Sequence, residues 1–76
     1  MPIDQSRLGS VVQAQMQAIE ETHGEECRIG DVVVIVEVIC PTAHDIRVRG
    51  SDPRPNITLG LMEAAHIIVR KGYEEA

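Results

Sequence analysis

Two spaced pairs, His23-x3-Cys27 and Cys40-x3-His44, hold the residue types that ligate zinc, with twelve residues between the cysteines. The segment between the pairs reads as an extended strand of roughly nine or ten residues. At about 3.3 Å per residue it keeps the pairs some 25–30 Å apart. One chain cannot bring four ligands from such distant points around one metal ion, and a Cys27–Cys40 disulfide fails on the same ground. The expectation is therefore no metal, no cofactor, two buried or inert thiols and two surface histidines. A thiol or zinc site shared across an antiparallel dimer interface is kept as a distant alternative.

Cys40, His44 and Asp45 also supply the types of a nucleophilic triad. Cys40 falls in an apolar row directly before Pro41, with no helix N-terminus to lower its thiol pKa. His44 and Asp45, adjacent on a strand, project to opposite faces. There is no phosphate-cradling glycine loop, no G-x-S-x-G elbow and no H-E-x-x-H pair. The chain does not read as an enzyme. Glu63, His66 and Arg70 share one side of a helix at i, i+3 and i+7, a solvated face that can also serve as a pH-sensitive contact. Arg47 and Arg49 project from one face of a strand, with Arg54 just beyond and Arg28 near the far end. Arginines on a β-ribbon can contact phosphates, or form a cross-strand charge ladder with Glu37. The net charge of −5 and the absence of Phe and Trp weigh against nucleic acid.

These side chains hang on a frame organised by Asp31–Cys40, DVVVIVEVIC, a β-branched run that reads as a strand. Val32, Val34, Val36, Val38 and Cys40 form one row; Asp31, Val33, Ile35, Glu37 and Ile39 form the other. Pro41-Thr42-Ala43 ends the strand, and a second strand spans about Asp45–Arg49. If the even row shares a face with Ile46 and Val48, paired residue numbers sum to an even value. Glu37 then stands across from Arg47 or Arg49.

Before the hairpin, a helix runs from Asp4 or Ser6 to Thr22, with Leu8, Val11, Val12, Met16 and Ile19 as its apolar stripe and Gly24 as its C-cap. After it, the turn-rich Gly50–Pro55 leads to a helix capped by Asn56 and ending near Lys71 with Gly72. Its stripe is Ile57, Leu61, Ala64, Ala65 and Ile68, widened by Met62 and Val69. Residues 1–5 are a lead-in and YEEA, 73–76, a frayed tail.

The 76 residues make one domain, 1–76, near the lower size limit for a self-sufficient core, and Tyr73 is the single aromatic. The fold expected is α+β in the order αββα, with both helices on the even face of an antiparallel hairpin. That leaves Val33, Ile35 and Ile39 open, and a two-stranded sheet is marginal alone. A homodimer is expected, by edge pairing or by packing of the odd faces. MPIDQSR has neither the basic nor the apolar region of a signal peptide, and no apolar run approaches a membrane span. A cytoplasmic protein is expected.

Residues 32–68 carry a valine-rich hairpin, an SD-x-R turn and a helix reading LGL-x-EAA. In these features the chain resembles small uncharacterised accessory proteins of actinobacterial phages. The resemblance implies a viral, non-catalytic protein that binds host or phage components, and it assigns no residue a role. The function expected is protein–protein interaction as a homo-oligomer. The candidate surface comprises Val33, Ile35, Glu37, Arg47 and Arg49 on the hairpin and Glu63, His66 and Arg70 on the second helix. A nucleic-acid-binding β-ribbon dimer using Arg47 and Arg49 is the alternative.

Overall fold

The computed structural model describes residues 2–72. Its elements are α1 (Ser6–Thr22), β1 (Val33–Ile39), β2 (His44–Gly50) and α2 (Pro55–Arg70), an α+β arrangement in the expected αββα order. The strands form a two-stranded antiparallel sheet. The tail expected at 73–76 lies outside the described residues.

The register departs from expectation. Val33 pairs with Gly50, Ile35 with Val48, Glu37 with Ile46 and Ile39 with His44, so partner numbers sum to an odd value throughout. The cause lies in the connection. The Cys40 amide donates to the Ala43 carbonyl at 2.8 Å, leaving Pro41 and Thr42 as a two-residue loop. Loop length fixes parity in a hairpin, and here it overrides the matching of apolar rows. Partners directly opposite share a face. Ile46 and Val48 therefore join the odd row of β1, while Asp45, Arg47 and Arg49 lie on the face of Val34, Val36 and Val38.

At the open end of the hairpin the ladder runs one residue further. The Ser51 amide donates to the Val32 carbonyl at 2.8 Å, and Ser51 Oγ accepts from the Val32 amide at 2.8 Å. The same hydroxyl donates to Asp31 Oδ1 at 3.2 Å. α2 then starts two residues earlier than Asn56 capping requires. Pro55 occupies its first position and Arg54 is the cap residue, because proline is preset for helical φ and the amide it lacks would be unsatisfied there anyway. Gly72 follows at φ 98°, and its amide donates to the Val69 carbonyl at 3.0 Å, the left-handed stop expected for α2.

Gly24 has no such role at the end of α1. His23 leaves the helix in extended conformation (φ −128°, ψ 146°), so no left-handed residue is needed, and the Thr22 hydroxyl donates to the Ala18 carbonyl at 3.0 Å.

α2 packs against β1 through its first turns, where Ile57, Thr58 and Met62 are half-buried. α1 makes no extended contact with any other element, so the expectation of two helices on the even face is corrected. Only Ile19 of its apolar stripe is even half-covered. The radius of gyration is 14.6 Å, against about 11 Å for a compact chain of this length. No described residue is fully buried.

Candidate functional site

An apolar surface lies on the odd face of the hairpin. Ile35, Ile39, Ile46 and Val48 lie there 54%, 68%, 60% and 46% exposed, with Val33 half-buried at the α2 end. Glu37 is the one charge set among them, opposite Ile46. A surface of this composition binds by excluding water from apolar contact.

The opposite face differs in kind. Val34, Val36 and Val38 are half-buried, and Asp45, Arg47 and Arg49 stand beside them in solvent. Arg47 Nη1 lies 3.7 Å from Asp45 Oδ2, a loose pair between exposed groups two residues apart on one strand. Such pairs contribute little. The expected charge ladder from Glu37 to Arg47 or Arg49 is absent because these residues occupy different faces. The hairpin residues singled out from the sequence thus divide into two surfaces: Val33, Ile35 and Glu37 on one, Arg47 and Arg49 on the other. Ile39, Ile46 and Val48 belong with the first. Correct parity, read from a two-residue loop at Pro41-Thr42, is the sequence signal that would have grouped them.

Glu63, His66 and Arg70 are all exposed on α2, and no ion pair joins them. Cys27 and Cys40 are free and exposed, which corrects the expectation that Cys40 is buried. It lies just beyond the end of β1, at the start of the Pro41-Thr42 loop. Among the described residues no three His, Cys, Asp or Glu side chains converge as a metal site. No described helix is long and apolar enough to cross a membrane.

The strongest local electrostatics hold the connector together. Asp52 Oδ1 accepts from the Arg54 amide at 2.9 Å and from Arg54 Nε at 3.0 Å, and Oδ2 accepts from Nη2 at 2.8 Å. The two-pronged guanidinium contact and the backbone bond hold the Asp52 carboxyl below its usual range, and the carboxylate raises Arg54. A shallow open depression beside them is lined by Val48, Gly50, Pro55, Thr58 and Leu59. Its carboxylate, Asp52, is already committed to Arg54; Arg49 and Thr58 are its other polar lining residues.

No protein-family model, curated protein or solved structure matches this chain.

Proposed function

We propose that this chain is a small non-catalytic binding protein that works by protein–protein contact as a homo-oligomer. The accessory role suggested by the phage-protein resemblance of residues 32–68 is part of that proposal. The observation that carries it is the total surface left exposed, large apolar side chains among it. The chain exposes 7302 Å², whereas a compact monomer of its mass exposes about 4,600 Å². An excess of roughly 2,700 Å² per chain, about 5,400 Å² for two copies, lies at the upper end of what obligate homodimers bury. Large apolar side chains stand open on the odd hairpin face, on the α1 stripe (Leu8, Val11, Val12 and Met16) and on α2 (Leu59, Leu61, Ile67, Ile68 and Val69). The non-catalytic part rests on the side-chain directions around Cys40: His44 and Asp45 project to opposite faces of β2.

Sedimentation equilibrium of the whole chain from low to high micromolar concentration tests the reading. The expected result is a mass that rises above 8.3 kDa with concentration, together with a loss of dye-accessible apolar surface. A folded species that stays at the monomer mass throughout overturns it.

One observation favours a second reading, nucleic-acid contact. Arg47 and Arg49 share a face from which Glu37 is absent, so two exposed guanidinium groups meet only Asp45. Duplex binding that weakens steeply with added salt, and is lost in R47A/R49A, is the outcome that reading requires.

A further inference from the structure

The two long edges of the hairpin are not equivalent. Hydrogen-bonded pairs alternate with non-bonded pairs along an antiparallel ladder. At its ends the bonds join Val32 to Ser51 and Cys40 to Ala43, so the even residues of β1 are those bonded to β2. The amides and carbonyls of Val33, Ile35, Glu37 and Ile39 therefore point outward, and no described residue bonds to them. Along this edge Glu37 is the single charge in VVIVEVI, with no lysine, proline or bulge. The outer edge of β2 is flanked by Asp45, Arg47 and Arg49, the kind of charged edge that discourages pairing. One edge is guarded and the other is not.

We infer that the outward edge of β1 pairs antiparallel with the same edge of a second copy of this chain, in the register that sets Val36 opposite Val36 of the second copy. The inference rests on the self-association proposed above and specifies its geometry. Three symmetric registers are close to centred. Centring on Glu37 places two carboxylates face to face, which is unfavourable, and leaves Val33 without a partner. Centring on Ile35 leaves Ile39 without one. Centring on Val36 matches Val33 with Ile39 and Ile35 with Glu37, and gives every outward amide and carbonyl of the strand a partner. Parity is conserved across that seam. The result is a four-stranded sheet, ordered β2-β1-β1-β2, with Ile35, Ile39, Ile46 and Val48 of both copies on one continuous face. The charged strands become its outer edges.

The register is testable by cross-linking. In a Cys27→Ser/Cys40→Ser background, Val36→Cys places two thiols across a non-bonded pair, where Cα atoms approach to about 4.5 Å, within reach of a disulfide. Val34→Cys in the same background lies opposite Val38 of the second copy, about 13 Å from its own counterpart. Under copper–phenanthroline oxidation the expected result is a covalent dimer from Val36→Cys at least tenfold in excess of that from Val34→Cys. A second variant, Ile35→Pro, removes an outward amide without removing a bond to β2. It should weaken association at least tenfold while the amide pattern of the hairpin persists. Concentration-dependent dimers that do not cross-link preferentially at Val36, or that Ile35→Pro leaves intact, overturn the edge register and leave self-association standing. A folded monomer at every concentration overturns both.

Discussion

The two helices carry apolar stripes of similar length, yet only one of them is docked. α2 follows β2 after four residues, Ser51–Arg54, and α1 precedes β1 by ten, His23–Val32. The short connector is dense with contacts. Ser51 extends the ladder, Asp52 clamps Arg54, Pro55 starts the helix, and Thr58 sits over Gly50. The long one holds a single backbone turn, from the Cys27 amide to the Gly24 carbonyl. An amphipathic stripe makes a helix available for packing, and the geometry of the connection decides whether it packs within its own chain. Where the connection does not decide, as for α1, nearly the whole stripe stays exposed, and even on α2 Leu61, Ile68 and Val69 stand open.

The sharpest way to break this contrast is at Gly50. A Cβ built there meets Thr58 Oγ1 at 2.5 Å, and threonine has little χ1 freedom to move aside. Gly50→Ala should cost about 1–3 kcal/mol by forcing α2 off the end of the hairpin. In a Thr58→Ala background the nearest remaining side-chain atom is Cβ at 3.7 Å, so the same change should be neutral or stabilise by up to about 1 kcal/mol through the unfolded chain. Chemical denaturation of the four members of the cycle measures the coupling. Equal costs in both backgrounds would remove Thr58 as the docking contact. A smaller effect is expected at Ser51, whose hydroxyl serves the Val32 amide and Asp31 together. Ser51→Ala should cost about 1 kcal/mol, read as lost amide protection at Val32. Val11→Ala on α1 should change hairpin protection by no more than about 0.5 kcal/mol in the monomer, since its side chain stands in solvent.

Element types, their order and the Gly72 stop were legible in the sequence because each rests on local chemistry: β-branching in 32–39, helical spacing in 8–19 and 57–69, and a glycine where the chain must turn left-handed. The register was not. Matching Ile46 and Val48 to the valine row implies an even sum, and a loop one residue shorter than that matching needs reverses it. With the register went the grouping of Arg47 and Arg49 with Glu37. The start of α2 lies two residues before the one an Asn56 cap implies, because a proline at the first helical position outranks an asparagine cap here. The undocked α1 had no signature at all, since a stripe of Leu8, Val12 and Met16 records that a helix has something to bury but not against what.

The finest comparison is between the two carboxylates that steady the helix starts. Asp4 Oδ1 accepts from the Ser6 amide at 2.9 Å, and Asp52 holds both the amide and the guanidinium of Arg54. Both carboxyls lie below the usual value of 3.8, Asp4 through the Ser6 amide and Asp52 first through the Arg54 side chain. A carboxyl lowered in the folded state stabilises it fully above the unfolded value, and the contribution disappears as pH falls through the folded one. Acidification from about pH 5 to pH 2 should therefore loosen both helix starts. The two should separate in salt. Added salt screens the exposed Asp52–Arg54 charge pair, whereas a backbone amide bond to Asp4 has no opposite charge to screen. Carboxyl chemical shifts followed through the titration should show the Asp52 midpoint rising with salt and that of Asp4 nearly fixed. D52N should abolish the acid-induced release of α2 and leave that of α1. An Asp52 midpoint at the ordinary carboxylate value would show that the connector is held by Ser51, Pro55 and the Gly50–Thr58 contact alone, and the electrostatic part of the contrast between the helices would be lost.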